Sequence, residues 1–183
     1  MTTSPNTGNY YVGKGIVKIK IIETGNQSDP PIIDNGVWRD LGNAPLFELT
    51  PAVTKLAHYS SRAGRKFKDK QITQQVELSV KLTLDEITPE NLALALMGSE
   101  ADSTGLVHNI MDLGQINCAL RFVGTNDVGD MQQVDLPNVL ITPTGSIGFI
   151  SDGWAQLQLD GDVVADVNGN FGTIHSEITA EIP

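Results

Sequence analysis

The sequence predicts a mainly β domain: a β-sandwich or barrel-like pair of sheets carrying one short α-helix. Three observations lead there. Short runs of alternating apolar and polar residues recur along the chain, the period of strands with one buried face. Glycine (18) and proline (9) punctuate those runs. Charged residues make up only 19%, below the usual quarter, and Thr, Asn and Gln supply much of the polar remainder. A length of 183 residues suits one domain with a real core, so residues 1–183 are expected to fold as a single unit.

The first strand is expected over residues 16–22, where Val17, Ile19 and Ile21 alternate with Lys18 and Lys20. Glu23 to Gly36 carries turn residues throughout and reads as a surface loop. Val37 to Leu41 reads as a short strand stopped by Gly42. From residue 45 to 70 no period persists, and Pro51, Gly64 and a run of basic residues read as one long connecting loop. Loops of that length inside a compact domain are uncommon and usually functional or disordered.

The clearest strand is 72–84. Ile72, Val76, Leu78, Val80, Leu82 and Leu84 fall on one side, with Gln74 out of place. Thr73, Gln75, Glu77, Ser79, Lys81 and Thr83 fall on the other. At about 3.3 Å per residue it would span roughly 43 Å, longer than a single sandwich requires. Residues 88–97 form the one convincing helix: Thr88 suits the N-cap, Pro89 the first turn, Ile87 and Leu92 a hydrophobic staple, and Gly98 the end. Its body is apolar all round, which calls for burial on more than one side. Further strands are expected at 115–123, with Ile116, Cys118, Leu120 and Phe122 inward, and at 131–141, 147–150, 154–160 and 173–182. In the last, Ile174, Ile178, Ala180 and Ile182 share one face.

Charge is divided along the chain. Residues 1–81 hold eleven of the twelve bases and seven acids, a net of +4, whereas 82–183 hold Arg121 and fifteen acids, a net of −14. Lys55, Arg62, Arg65, Lys66, Lys68 and Lys70 cluster against Asp69 alone. That cluster reads either as a solvated loop or as a cationic arm drawn to an acidic surface, its own or that of another copy. A total of −10 argues against a protein that works by neutralising phosphates. The opening residues lack a basic segment followed by an apolar one, and no apolar run approaches a membrane span, so a soluble protein without a standard export signal is expected.

No catalytic, cofactor or metal constellation is expected. His58, His108 and His175 stand in unrelated contexts without metal-ligand spacing. Gly13-Lys14-Gly15 lacks the remaining glycine and the helix of a phosphate loop, and Thr144 stands where a nucleophile elbow of Gly145-Ser146-Ile147-Gly148 needs glycine. Cys118 falls on an inward strand position, where a thiol is a small hydrophobe, and a lone cysteine makes no internal disulfide. Asp166-Val-Asn168-Gly-Asn170-Phe171-Gly172, with Glu177 at the twelfth place, echoes a calcium loop, but Phe171 occupies the position that needs glycine. A turn between strands explains those residues equally well.

The ordered series Trp38-Arg-Asp-Leu-Gly-Asn43-Ala-Pro-Leu-Phe47-Glu-Leu-Thr-Pro51, then Leu56-Ala-His-Tyr-Ser-Ser61-Arg-Ala-Gly64-Arg-Lys-Phe-Lys-Asp-Lys70, then the long strand and Leu84-Asp-Glu-Ile-Thr-Pro-Glu-Asn-Leu92 through Gly98, resembles the tail tube (major tail) proteins of long-tailed bacteriophages. These are related to the tube proteins of type VI secretion. The resemblance covers mainly residues 37–98. It implies a structural virion protein, not an enzyme, without a cofactor, whose homohexameric rings close an inner β-barrel and stack into a hollow tube that conducts DNA during ejection. It also implies partners in the tape-measure, tail-terminator and tail-tip proteins, passage of DNA without specific binding, no membrane insertion, and a location in the virion tail after assembly in the host cytoplasm.

On this reading Thr73, Gln75, Glu77, Ser79, Lys81 and Thr83 would face the lumen. Lys55, Arg62, Arg65, Lys66, Lys68 and Lys70, in an inter-subunit docking loop over 45–70, would reach the next ring. Joining strands between copies would also remove long exposed edges, which template aggregation. Two alternatives stand beside it: a monomeric or trimeric β-sandwich that binds host glycan or decorates a capsid, marked by exposed loop aromatics, and a hydrolase on a β scaffold, marked by a converging acid-base set.

Overall fold

The computed structural model describes residues 10–24, 37–62, 64–101 and 104–176. Eight antiparallel strands and one helix follow the order β1 (Gly15–Thr24), β2 (Arg39–Asp40), β3 (Leu46–Ser60), β4 (Phe67–Leu84), α1 (Pro89–Ala95), β5 (Ile116–Gly124), β6 (Gln132–Pro143), β7 (Leu157–Val163) and β8 (Thr173–Ser176). The strands form one sheet in the order β2-β1-β5-β6-β7-β4-β3, with β8 paired to β6. Among the described residues the sheet does not close. It folds over on itself, so that β3 and β4 lie across from β5 and β6 as in a sandwich. The Phe47 and Phe122 rings stack across the layers, 5.5 Å between centroids and 10° between planes.

The mainly β, sandwich-like fold with one short helix is as the sequence predicts, although the two layers are halves of one hydrogen-bonded sheet. Val17, Ile19 and Ile21 of β1 and Ile116, Cys118 and Leu120 of β5 are buried, as their alternation requires. Leu82 pairs with Leu159 and Leu84 with Leu157, all four buried in the core between the layers. Gly161 of β7 stands where a Cβ would lie 2.6 Å from Val139 and 2.8 Å from Val80. Any side chain there would displace the core.

The helix begins as its caps dictate. Thr88 Oγ1 accepts from the Asn91 amide at 3.2 Å and Pro89 takes the first turn. Asn91 is 1% exposed, and its amide side chain replaces the water it loses: Nδ2 donates to the carbonyls of Leu41 (2.9 Å) and Glu86 (3.0 Å), and Oδ1 accepts from Arg39 (2.8 Å). One side chain thereby ties α1 to the strand β2 and to the end of β4. The Gly98 amide returns to the Ala93 carbonyl at 2.9 Å and ends the helical turns, slightly short of the expected 97.

Several expectations are corrected. Among the described residues, 45–70 are not a long loop but strand β3, a short connection and the first part of β4. Pro51 is compatible with a strand here because β3 ends the sheet order, and an edge strand tolerates a missing N–H. Register shifts between Thr54 and Lys55 and between His58 and Tyr59 put an extra residue into β4 twice; β3 itself is continuous, but beyond Leu49 almost all of it is exposed, so no buried face marks it in the sequence. The long strand begins at Phe67 rather than 72. Ile72, Val76 and Ile174, expected inward, are exposed. Residues 147–150 form no strand, and residues 37–41 contribute only Arg39–Asp40. Of the strand expected at 173–182, Thr173–Ser176 is present and the remainder lies outside the described residues, as do most of the loop 23–36 and Glu177.

Candidate functional site

The dominant surface feature is the β3–β4 hairpin. Its base is part of the sheet, since β7 pairs with β4 from Leu78 to Leu84. Beyond Leu78 the strands continue as a two-stranded ribbon with which no other strand pairs among the described residues. The arm Phe67–Glu77 extends roughly 35 Å at about 3.3 Å per residue. Cross-strand pairs place Val53 against Val76 and Leu56 against Ile72, and these four, with Tyr59 and Phe67, are about half or more exposed (49–61%). A lone two-stranded ribbon is marginal in water, and one that shows apolar side chains invites a covering surface.

The six bases of the cluster gather toward the end of this ribbon: Lys55 on β3, Arg62, Arg65 and Lys66 at the turn, Lys68 and Lys70 on β4, all exposed. Asp69, the one acid among them, bonds His58 Nδ1 at 2.6 Å, and Lys68 donates to Gln71 Oε1 at 2.6 Å. The cluster predicted from sequence is therefore brought together, on a projecting hairpin rather than in an irregular loop.

The polar side of β4 belongs to a continuous face. Lys81 lies between Glu48 and Asp160, and Ser79 between Thr50 and Asp162, in cross-strand rows that share one side of the sheet. Thr83, Lys81, Ser79, Glu77 and Gln75 alternate cleanly along β4, and Gln75 hydrogen-bonds Glu77 on the same side. Thr73 lies past the first register shift, where alternation no longer determines its side. The face thus holds Glu48, Glu77, Asp160 and Asp162 against Lys81. Asp160 and Asp162 share this face through the β4–β7 pairing, which periodicity alone does not reveal.

The remaining chemistry is local. Among the described residues no three His, Cys, Asp or Glu side chains group to hold a metal. Asp166 Oδ1 accepts from the amides of Asn168 and Asn170, both at 2.8 Å, and Gly169 has φ +84°. These residues make a turn, and the two amides hold the Asp166 carboxyl below its ordinary range. Burial pushes the Cys118 thiol up to about 12, which leaves it protonated and inert at neutral pH. Among the described residues no helix is long and apolar enough to cross a membrane.

A second surface escaped the sequence reading. Leu106 (72%), Ile110 (69%), Phe149 (73%), Ile150 (98%) and Trp154 (95%) are largely exposed near the α1 end of the molecule or in the loop before β7. Their signal is weak, because isolated apolar residues among turn residues carry no period.

The class defined so far is a mainly β domain with an open antiparallel sheet and an overlong, partly apolar, cationic hairpin. A family profile matches residues 10–108, and the chain belongs to that family, described as protein of unknown function UCP028589. The match takes in β1 to β4, α1 and the segment after it. A comparison with curated proteins found no match.

Proposed function

We propose that this protein is a structural, non-catalytic tube subunit whose copies assemble into stacked homohexameric rings, as in the phage tail tubes its sequence resembles. The supporting observation is the hairpin: a ribbon roughly 35 Å long, apolar on both arms and strongly cationic at its tip, attached to an anionic body. Such a ribbon gains stability when another copy extends or covers it. Covering the exposed half of its six large side chains contributes about 1 kcal/mol each, roughly 6 kcal/mol in all, before the entropic cost of association.

In this reading the edges at β2 and β3 join between copies and the polar face with Ser79, Lys81 and Thr83 turns to the bore. Glu48, Glu77, Asp160 and Asp162 would then repel the DNA phosphates that pass. Tape-measure, terminator and tip proteins are the expected further partners, in a virion tail assembled in the host cytoplasm. Sedimentation and negative-stain microscopy of the purified protein test the proposal: rings or tubes are expected, and a monomer at all concentrations and salt conditions overturns it.

The second reading, a glycan-binding module, is favoured by Trp154 and Phe149, exposed in the loop before β7. It predicts quenching of tryptophan fluorescence by oligosaccharides. A flat titration, together with assembled rings, removes it.

A further inference from the structure

The β3–β4 ribbon carries its charge apart from the rest of the chain. From Leu49 to Val76 the sequence holds six cations, Lys55, Arg62, Arg65, Lys66, Lys68 and Lys70, and one acid, Asp69, whose carboxylate bonds His58. The next acid along β4, Glu77, stands ten residues from Phe67, about 33 Å at 3.3 Å per residue. Even Lys55, paired with Thr73, is four residues from the level of Glu77, about 13 Å. Salt screens exposed charges over about 8 Å at physiological ionic strength. The tip therefore acts locally as a cation of +5, whatever the chain's total of −10.

These cations surround the ribbon. Strand β3 is continuous, so Lys55 and Tyr59 take one face and Leu56 and His58 the other, and cross-strand pairing adds Lys68 to the first face and Lys70 to the second. Arg62, Arg65 and Lys66 complete the set at the end, and all six side chains are exposed. That distribution selects among anionic partners. A flat lipid surface meets one face of a ribbon and leaves the charge of the other unused. The major groove of duplex DNA, about 12 Å wide and walled by phosphates on both sides, admits a two-stranded β-ribbon.

We propose that in the unassembled subunit the tip of the β3–β4 ribbon enters the groove of duplex DNA and binds its backbone phosphates through Lys55, Arg62, Arg65, Lys66, Lys68 and Lys70. Phosphate contacts carry no sequence information, so this binding has no sequence preference. The inference goes beyond the proposed tube, since it gives the ribbon a second partner that is not another copy. Ring formation that covers the ribbon releases the DNA, and the two occupants exclude each other.

The test titrates the full chain into a fluorescein-labelled DNA duplex and reads anisotropy at several salt concentrations. A Kd of roughly 10 μM or tighter in 50 mM salt is expected, equal for duplexes of unrelated sequence, with log K falling against log salt at a slope between about −3 and −5. Arg65→Gln with Lys66→Gln, at exposed positions, is expected to make that slope shallower by about 2 and to weaken binding about tenfold with the melting curve unchanged. No binding at 50 mM salt, or parent-like affinity and slope in the double variant, overturns the proposal. Equal affinity for vesicles containing phosphatidylserine overturns the assignment to DNA. Sedimentation run alongside reports assembly separately: a protein that binds DNA and never forms rings removes the tube and keeps this inference, and one that forms rings yet ignores DNA in its unassembled fraction does the reverse.

Discussion

Val53 and Val76 face each other across the β3–β4 hairpin with half of each side chain in solvent, 52% and 51% exposed. Both lie just beyond the last residue at which β7 supports β4, so the apolar face that forms the core at Val80 and Leu82 continues outward uncovered.

Replacing that pair by Val53→Lys with Val76→Glu keeps a favourable cross-strand contact but removes the apolar surface. The monomer's stability is expected to change by no more than about 0.5 kcal/mol, as for other exposed positions, while sedimentation shows assembly lost. Parent-like particles would mean that this surface takes no part in association.

Arg65→Glu with Lys66→Glu reverses charge at the hairpin turn. Single rings that fail to stack are expected under the microscope, since the like-charged tip is then repelled by the acidic body. Tubes of parent length in the double variant would exclude a docking role for the tip.

A cysteine at Gln75 reports on the polar face. In assembled tubes a maleimide too large for the bore is expected to leave it unlabelled, while a small one reacts. Equal labelling by both reagents would place that face on the outer wall. Cys118 contributes no background, because burial raises its thiol to about 12.

Asn91→Leu removes the bonds to the Leu41 and Glu86 carbonyls and to Arg39 while keeping the volume. Stranding the buried Leu41 carbonyl and breaking the partly buried bonds to Glu86 and Arg39 is expected to cost about 2–3 kcal/mol in denaturant unfolding. A loss below about 0.5 kcal/mol would show that water replaces the amide without penalty.

Acid stability follows from Asp112. The Ser99 hydroxyl, and then its amide, bond this carboxylate and hold it below its ordinary value of 3.8. A folded-state pKa lowered in this way adds stability above the unfolded value, and that stability is lost as pH falls through the folded one. Asp112→Asn is therefore expected to lower stability at neutral pH and to flatten the fall below about pH 4. A parallel pH profile in the variant would show the carboxylate's charge to be irrelevant.

Strand β4, the helix caps and the clustered bases were legible because each rests on local chemistry: alternation from Leu78 to Leu84, Thr88 before Pro89, and six cations within residues 55–70. Strand β3 was not, because Pro51 reads as a breaker unless the strand is known to lie at an edge, and because beyond Leu49 almost none of it is buried, so no apolar face marks it. Val76 fits the apolar period, yet period reports which side a residue takes and not whether anything covers that side, and Ile72 lies past the register shift, where the period no longer fixes even the side. The exposed apolar surface near α1 depends on segments distant in sequence meeting at one end, which no local pattern encodes.

The open sheet ends in two unlike margins, a two-residue strand at one and a fifteen-residue strand at the other. A join between unlike margins is heterologous: every added subunit presents the same vacancy again, and growth stops only when the rotation per step divides a full circle. The number of subunits in a closed ring would then be set by sheet twist and curvature, so a small change at a bulge such as that beside Thr54 could convert closed rings into open spirals.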